Sequence, residues 1–509
     1  MNTTDIVIIG SGIGGATIAS ALADQNAKIV ILERGGFLSP SPQARDPIAI
    51  FQQGYYRNSE EWYDTKGEAY QAGNYYYVGG NSKFYGAAMV RYRKEDFAEL
   101  VHPDGISPAW PFPYEEIEPY YCQAEKLFRV RGPNNKDGKN YATAEDPTEP
   151  YHSQAYPYPQ IADEPDIARV KEKLKQLELH PHSVPLAVDL NAWLKEGKTT
   201  WDAYPNPNRG KIDAQTGPLE LALKDKNIQL ITQAKVTRLL TDKQGKVIDQ
   251  IEYLINGRKK KLRAKLVILA AGAVQSAALL LRSTDSKNPK GLANSSGNVG
   301  KNLMNHNTSA ILAIDPRRPN RAIYQKTLAL NDFYLTDGST STPLGCIQLL
   351  GKVTGPILKG FVPTIPKYIA NLIGRYSMDW YIMSEDLPKP TSRVELNGSR
   401  LIVDWQPANQ VAHSRLVKLF CSRLRSIGYP IVLSRPFDRR VPSHQCGTTR
   451  FGKDSAYSVL DPYCNSYDHP NLYIVDASFL PNSAAVNPAL TIAAQALRVG
   501  KHLKENVFK

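Results

Sequence analysis

Cysteine is scarce in this chain: 509 residues hold only Cys122, Cys346, Cys421, Cys446 and Cys464. The number is odd and none stands in a CxxC pair. Neither a disulfide framework nor a zinc site is indicated, no metal is expected, and a reducing compartment fits. Any apolar run long enough to span a bilayer is also missing. The nearest, Leu266–Leu281, contains Gly272, Gln275 and Ser276 and reads as a buried strand running into a helix. Only Met1-Asn2-Thr3-Thr4 precede the first strand, so no secretory leader is expected. The expected location is cytoplasmic, or peripheral at a membrane. Internal repeats and low-complexity tracts are absent.

What is present is an excess of positive charge. Lys and Arg number 62 against 49 Asp and Glu, a formal +13. That favours anionic partners: nucleotides, acidic substrates or an acidic membrane surface. The one dense basic run, Arg258–Lys265, lies between two strand-like segments, 247–254 and 266–270, and reads as a solvated hairpin. No aromatic residues interleave it, so nucleic acid is not an expected partner. The segment 355–374 is apolar but broken by Pro356, Pro363, Pro366 and lysines. It reads as a surface-seeking loop, the candidate for peripheral membrane contact.

The first structural unit is plain. Asp5–Ile9 suits a strand buried on both faces, Gly10–Gly15 a tight turn, Ala16–Asp24 a helix, and Lys28–Leu32 a second strand ending at Glu33. From about Asp104 to Arg209 the chain is rich in Pro and Tyr, with helical spacing over Tyr114–Arg129. An α/β signature returns at 228–240, 247–254 and 266–281. Alternation at Val394–Leu396 and Leu401–Trp405 predicts an antiparallel sheet. The end, Leu472–Lys504, reads as strand, loop and a long helix starting near Pro488.

Gly10-Ser11-Gly12-Ile13-Gly14-Gly15 matches GxGxxG. The first glycine permits the turn, the second lets backbone approach a pyrophosphate, and the third lets helix and strand pack closely. The free N–H groups and dipole of the helix start bind phosphate. Glu33 stands where an acid accepts hydrogen bonds from ribose hydroxyls, which argues against a 2′-phosphate. This motif holds NAD or FAD equally. The far end separates them: a strand ending at Asp476, then Asn487-Pro488 opening the last helix, whose N-terminus can stabilise negative charge on a reduced flavin.

These residues resemble the glucose–methanol–choline (GMC) oxidoreductases over nearly the whole chain. Four blocks carry the resemblance: Asp5–Glu33; the loop Val78–Gly86; Ala270–Ala273 followed by Gly300–His306; and His444-Gln445-Cys446-Gly447-Thr448 with Val475–Ser478 and Asn487-Pro488. It implies a Rossmann-like FAD-binding domain of the three-layer ββα type (residues 1–100, 205–310 and 440–509). It also implies an α+β substrate domain on an antiparallel sheet (101–204 and 311–439). The implied activity is FAD-dependent oxidation of an alcohol (a sugar, polyol or other primary or secondary alcohol), in EC class 1.1. Hydride passes to flavin N5, and electrons then go to oxygen, a quinone or another acceptor. A non-redox flavin-containing lyase and a membrane-associated dehydrogenase subunit passing electrons to a quinone are the alternatives.

By the same resemblance His444 matches the active-site histidine and Asn487 its hydrogen-bonding partner. A neutral imidazole can take a hydroxyl proton near neutral pH, whereas an amide can only orient it. On residues alone, His444 also reads as a loop histidine capping backbone groups. The implied cofactor contacts are Gly10, Gly12, Ile13, Gly14, Gly15, Glu33, Arg34, Gly79, Gly80, Asn81, Ser82, Val236, Ala271, Gly272, Asp476, Ala477, Asn487, Pro488 and Ala489. Asp476 alternatively reads as a turn cap, and His306 and His469 read as structural. Some relatives attach FAD through a histidine in the Gly79–Gly86 loop. None is present here, so noncovalent FAD is expected. Tyr85 stands where many relatives carry Asn, and the usual Pro is missing from the helix after Gly272. Tyr75-Tyr76-Tyr77 reads as packing at alternating strand positions, with substrate stacking as the alternative.

Overall fold

A computed structural model describes residues 2–133, 145–195, 201–205, 209–438 and 444–507. Strand Asn2–Ile9 forms because Ile6, Val7, Ile8 and Ile9 are a continuous apolar run, and all four are buried. It pairs in parallel with Ile29–Leu32 on one side and Arg258–Leu269 on the other. Ile228–Ile231 and Leu472–Ile474 extend the parallel sheet. The hairpin strands Ala234–Thr241 and Ile248–Ile255 add antiparallel edges, making seven strands among the described residues. Helix Ile13–Ala21 packs on helix Ala489–Asn506, where a Cβ on Gly500 would come 2.6 Å from that of Ala21.

A second sheet is antiparallel and runs Ile431–Pro436, Asn307–Ile314, Ser377–Ser384, Cys346–Leu349, Leu328–Leu330, His182–Ser183. Side chains alternate across it. Ile311 and Ala313 face the core beneath helix Gln410–Ser426, where Trp380 meets Phe420 edge-on at 4.8 Å. Ala310 and Leu312 face the cavity described below. The chain is thus an α/β protein with a Rossmann-like sheet and a separate antiparallel sheet.

Several elements differ from the sequence reading. The basic run is the exposed arm of a hairpin, but the turn falls earlier than its charges suggest, at Asn256-Gly257, and Arg258–Leu269 is one strand with a cationic first half. Lys259 and Lys261 there pair with Glu252, 3.0 and 3.2 Å away. The 228–240 segment breaks in two at Gln233, which adopts a left-handed φ of 54°. The 355–374 loop is two helices, Gly355–Phe361 and Lys367–Tyr376. Strands Arg393–Asn397 and Arg400–Asp404 pair antiparallel as their alternation predicts, but they sit in a separate four-stranded sheet with Trp62–Tyr63 and Ala69–Tyr70 rather than in the larger antiparallel sheet. Tyr75–Tyr77 lie outside any strand. Tyr75 and Tyr77 cluster with Tyr56 and Phe84, while Tyr76 turns to Arg34. The five cysteines are buried and free.

Candidate active site

One cavity of about 1770 Å³ opens between the two sheets. Of the residues singled out above, Gly10, Gly12, Ile13, Gly14, Glu33, Arg34, Gly80, Asn81, Ser82 and Val236 line it. So do Ala271, Gly272, Asp476, Ala477, Asn487, Pro488, Ala489 and His444. Gly15 and Gly79 sit behind its wall. A Cβ on Gly15 would lie 2.1 Å from the Gly10 carbonyl, and Gly79, at a φ of 94°, donates its N–H to Ser11 Oγ at 3.1 Å.

The glycine-rich turn is built for an anion. Gly12 caps helix Ile13–Ala21 with no side-chain partner and no acid in the first turn, so the first N–H groups are unsatisfied within the helix. A Cβ on Gly12 would meet nothing within 4 Å, whereas one on Gly14 would sit 2.1 Å from the Val475 carbonyl. Gly12 therefore leaves backbone open to a ligand, and Gly14 lets the helix dock on the last strand. Space, free donors and a positive helix end fit a pyrophosphate.

Glu33 is held by three protein hydrogen bonds. Its Oε2 accepts from Ser11 N (3.0 Å) and Ser11 Oγ (2.7 Å), and its Oε1 from Gly35 N (2.7 Å). Burial raises its pKa. Ser11 consequently ties the second strand's acid to the Gly79 loop, a link that sequence reasoning passed over. Arg34 pairs with Glu60 at 3.2 Å and stacks 3.5 Å over the Tyr76 ring. Asp476 is a cap as well as a wall: its Oδ1 accepts from Ser478 N, and its Oδ2 accepts from Gly272 N and Ser276 Oγ. Ser82 bonds the Gly79 carbonyl and Ala214 N–H, and Asn81 accepts from Tyr75 N. Tyr85 spends its hydroxyl on the Ile212 carbonyl.

The third and fourth blocks meet by backbone pairing. Met304 and Cys446 exchange N–H···O bonds at 3.0 and 2.9 Å, and Gly300 N donates to Thr448 O. A Cβ on Gly447 would strike Met304 Cε at 2.4 Å. This seam sets His306 beside His444, with Nδ1 to Nδ1 at 2.7 Å. His306 Nε2 lies 2.9 Å from both the Ser483 and Ala484 carbonyls. Carbonyls only accept, so His306 carries its proton on Nε2 and offers a lone pair on Nδ1. The proton between the rings therefore belongs to His444 Nδ1, leaving His444 Nε2 as a free base. Burial holds His306 at a pKa of about 4, and enclosure, with His306 and then Lys326 nearby, holds His444 well below the usual histidine value.

Asn487 is held just as firmly. Its Oδ1 accepts from Gln348 Nε2 at 2.9 Å, leaving its N–H₂ to donate elsewhere. Lys326 also lines the cavity and pairs with Asp202 at 3.0 Å. Sequence reasoning read His306 as structural and passed over Gln348 and Lys326. His306 had a signal, its place in the Gly300–His306 block; Gln348 and Lys326 had none. His469 is a turn residue, with Nδ1 on the Lys246 carbonyl. Among the described residues no cluster of His, Cys, Asp or Glu could hold a metal ion, and no helix is long and apolar enough to cross a membrane.

The chain is similar to known proteins along nearly its whole length. GMC oxidoreductase family models match residues 186–308 and 437–496, and an NAD(P)-binding Rossmann-like domain model matches 8–63. The 6'''-hydroxyparomomycin C oxidase of Streptomyces lividus is 27% identical, over 99% of this chain and 92% of its own. The 2-methyl-1,2-propanediol dehydrogenase of Mycolicibacterium austroafricanum is 26% identical, over 98% and 95%. The crystal structure of pyridoxine 4-oxidase from Mesorbium loti superposes with a TM-score of 0.68 at 19% identity, over 99% of both chains, and shares the fold.

Proposed function

The chain belongs to the GMC oxidoreductase family, and on that premise we propose that it oxidises an alcohol with His444 as the base. It is an enzyme of the EC 1.1 class acting on a CH–OH donor. The family implies FAD, which supplies the hydride acceptor when bound. Gly12, Ile13 and Gly14 would hold its pyrophosphate, Glu33 its ribose, Val236 its adenine end, and Gly80–Ser82 with the Asn487–Ala489 helix start its flavin end. The absence of histidine in residues 79–86 supports noncovalent attachment.

The observation that carries the reading is the His306–His444 contact. It fixes one tautomer, so His444 Nε2 is the atom that takes the hydroxyl proton. Asn487, its carbonyl occupied by Gln348, donates its amide N–H to the same substrate oxygen. A hydroxyl held by one acceptor and one donor is oriented for loss of its proton as hydride leaves carbon. The cavity wall beyond them is mainly aromatic and aliphatic, including Phe84, Trp201 and Tyr381, which suits a substrate with apolar surface. Oxygen, a quinone or another acceptor then takes the electrons.

The grouping of residues 1–100, 205–310 and 440–509 as the cofactor domain, with 101–204 and 311–439 as the substrate domain, is part of this proposal. It is supported by the parallel sheet, whose strands all come from the first set. The test is anaerobic bleaching of the purified flavoprotein by a panel of alcohols. His444→Ala should slow bleaching by about 10²- to 10⁴-fold, the usual worth of a general base. An unchanged rate would remove His444 from the role.

A further inference from the structure

Helix Lys367–Tyr376 is packed the wrong way round for an ordinary surface helix. Its buried residues are Ala370 and Gly374, while Tyr368, Ile369 and Leu372 are 73%, 45% and 37% exposed. Large apolar side chains normally face the core and small or polar ones the water. The inversion has a local cause: a Cβ on Gly374 would already lie 3.0 Å from the Val353 carbonyl, so the helix sits too close for bulk beneath it. Phe361 and Val362, at the end of helix Gly355–Phe361, are exposed as well. Residues 355–376 carry Lys359, Lys367 and Arg375 and no carboxylate. Lys367 and Arg375 are exposed beside the apolar side chains.

The same hairpin is a wall of the catalytic cavity. Ile357, Leu358, Phe361, Val362, Ile365 and Ile373 line the cavity that His444 also lines. Arg435, on the edge strand Ile431–Pro436, clamps the hairpin by donating to the Phe361 carbonyl at 2.9 Å.

We propose that the hairpin Gly355–Tyr376 seats in the headgroup layer of an anionic lipid bilayer. The apolar side chains enter the acyl boundary, and the flanking cations remain among the phosphates. Charge complementarity selects this occupant: the patch pairs apolar bulk with cations of one sign. Resting on the redox reading above, the docked hairpin brings the cavity wall against the membrane. An apolar alcohol or a lipid-soluble electron acceptor then reaches the site without crossing water.

The test uses the FAD-loaded protein with vesicles of phosphatidylcholine alone and of phosphatidylcholine mixed with phosphatidylglycerol. Sedimentation should show binding to the mixed vesicles, weakened by salt. Lys367→Gln and Arg375→Gln should each weaken it about fivefold, the worth of one cation at such a surface, and Ile369→Glu should abolish it. None of these side chains lines the cavity, so anaerobic bleaching by a water-soluble alcohol should stay at the wild-type rate in each variant. Failure of the parent protein to bleach would count against the alcohol reading and leave the vesicle result standing. No binding to anionic vesicles, or binding indifferent to Ile369→Glu, would overturn the docking. So would light scattering showing a dimer that Ile369→Glu dissociates, because a second copy would then cover the face.

Discussion

His306 decides which nitrogen of His444 is basic, although it stands behind that ring. Two backbone carbonyls leave its Nε2 no choice but to donate, and its Nδ1 then accepts from His444. His306→Ala should lower kcat/KM by about 10- to 100-fold, a part of the usual worth of a general base. His306→Gln, which keeps an acceptor, should recover some of the loss. The pH profile separates this from mere destabilisation. With His444 as the proposed base, activity requires it neutral and should be lost as pH falls through its pKa, which lies well below the usual histidine value. His306 contributes to that depression, so its removal should move the acid limb of the kcat/KM profile to higher pH. A profile that falls uniformly, with its limb unmoved, would show His306 to be structural only.

At the scale of elements, the glycine-rich turn performs two separable tasks. Gly12 faces open space, and its φ of −68° is one any residue adopts. Gly12→Ala should therefore fold with stability within about 1 kcal/mol of wild type, yet lose FAD, because the new methyl group stands where the pyrophosphate approaches. Gly14 has no such room: a methyl group there would stand 2.1 Å from the Val475 carbonyl oxygen, well inside van der Waals contact. Gly14→Ala should separate helix Ile13–Ala21 from strand Leu472–Ile474 and cost more than about 3 kcal/mol, visible as a lowered Tm even with excess FAD. Equal effects of the two variants on Tm would contradict this division.

Across the whole molecule, burial of neutral histidines makes stability depend on pH. His413, on helix Gln410–Ser426, lies between Ser309 Oγ and Ser384 Oγ on the antiparallel sheet, and burial lowers its pKa to about 4. Its unfolded value is near 6.5, so below that pH the unfolded chain binds the extra proton. The stabilisation linked to His413 is complete above pH 6.5 and is lost as pH falls toward 4, up to about 3 kcal/mol. Buried Asp96 and Asp386 are raised to about 8 and 7, and they act oppositely over an overlapping range. The measurement is therefore a difference: the stability of wild type minus that of His413→Gln should shrink between pH 6.5 and 4. A constant difference would assign the histidine no such role.

Much of this protein was legible in local pattern. The apolar run Ile6–Ile9, the glycines after it and Glu33 specify strand, turn, helix and acid within one short stretch, because each preference there is satisfied by near neighbours. The last helix announces itself through Pro488 in the same way. Elsewhere local signals were incomplete: Arg258–Lys265 reads as a solvated hairpin, but charge alone does not show that the run is itself the strand paired with Ile248–Ile255. The 355–374 segment reads as a loop by its prolines but is two helices, because Pro356 and Pro366 fall at helix starts and Pro363 in the turn between them. The sequence alone pointed to the dinucleotide cradle and, through the order of the motifs in the family resemblance, to His444 as the proposed base. Only the tertiary structure decided which atom of that base is free, since His306 and His444 stand 138 residues apart and Gln348 and Asn487 stand 139 apart. Such contacts leave no periodicity in the chain. They exist because the Met304–Cys446 seam and the sheet beside it bring distant segments within hydrogen-bond reach.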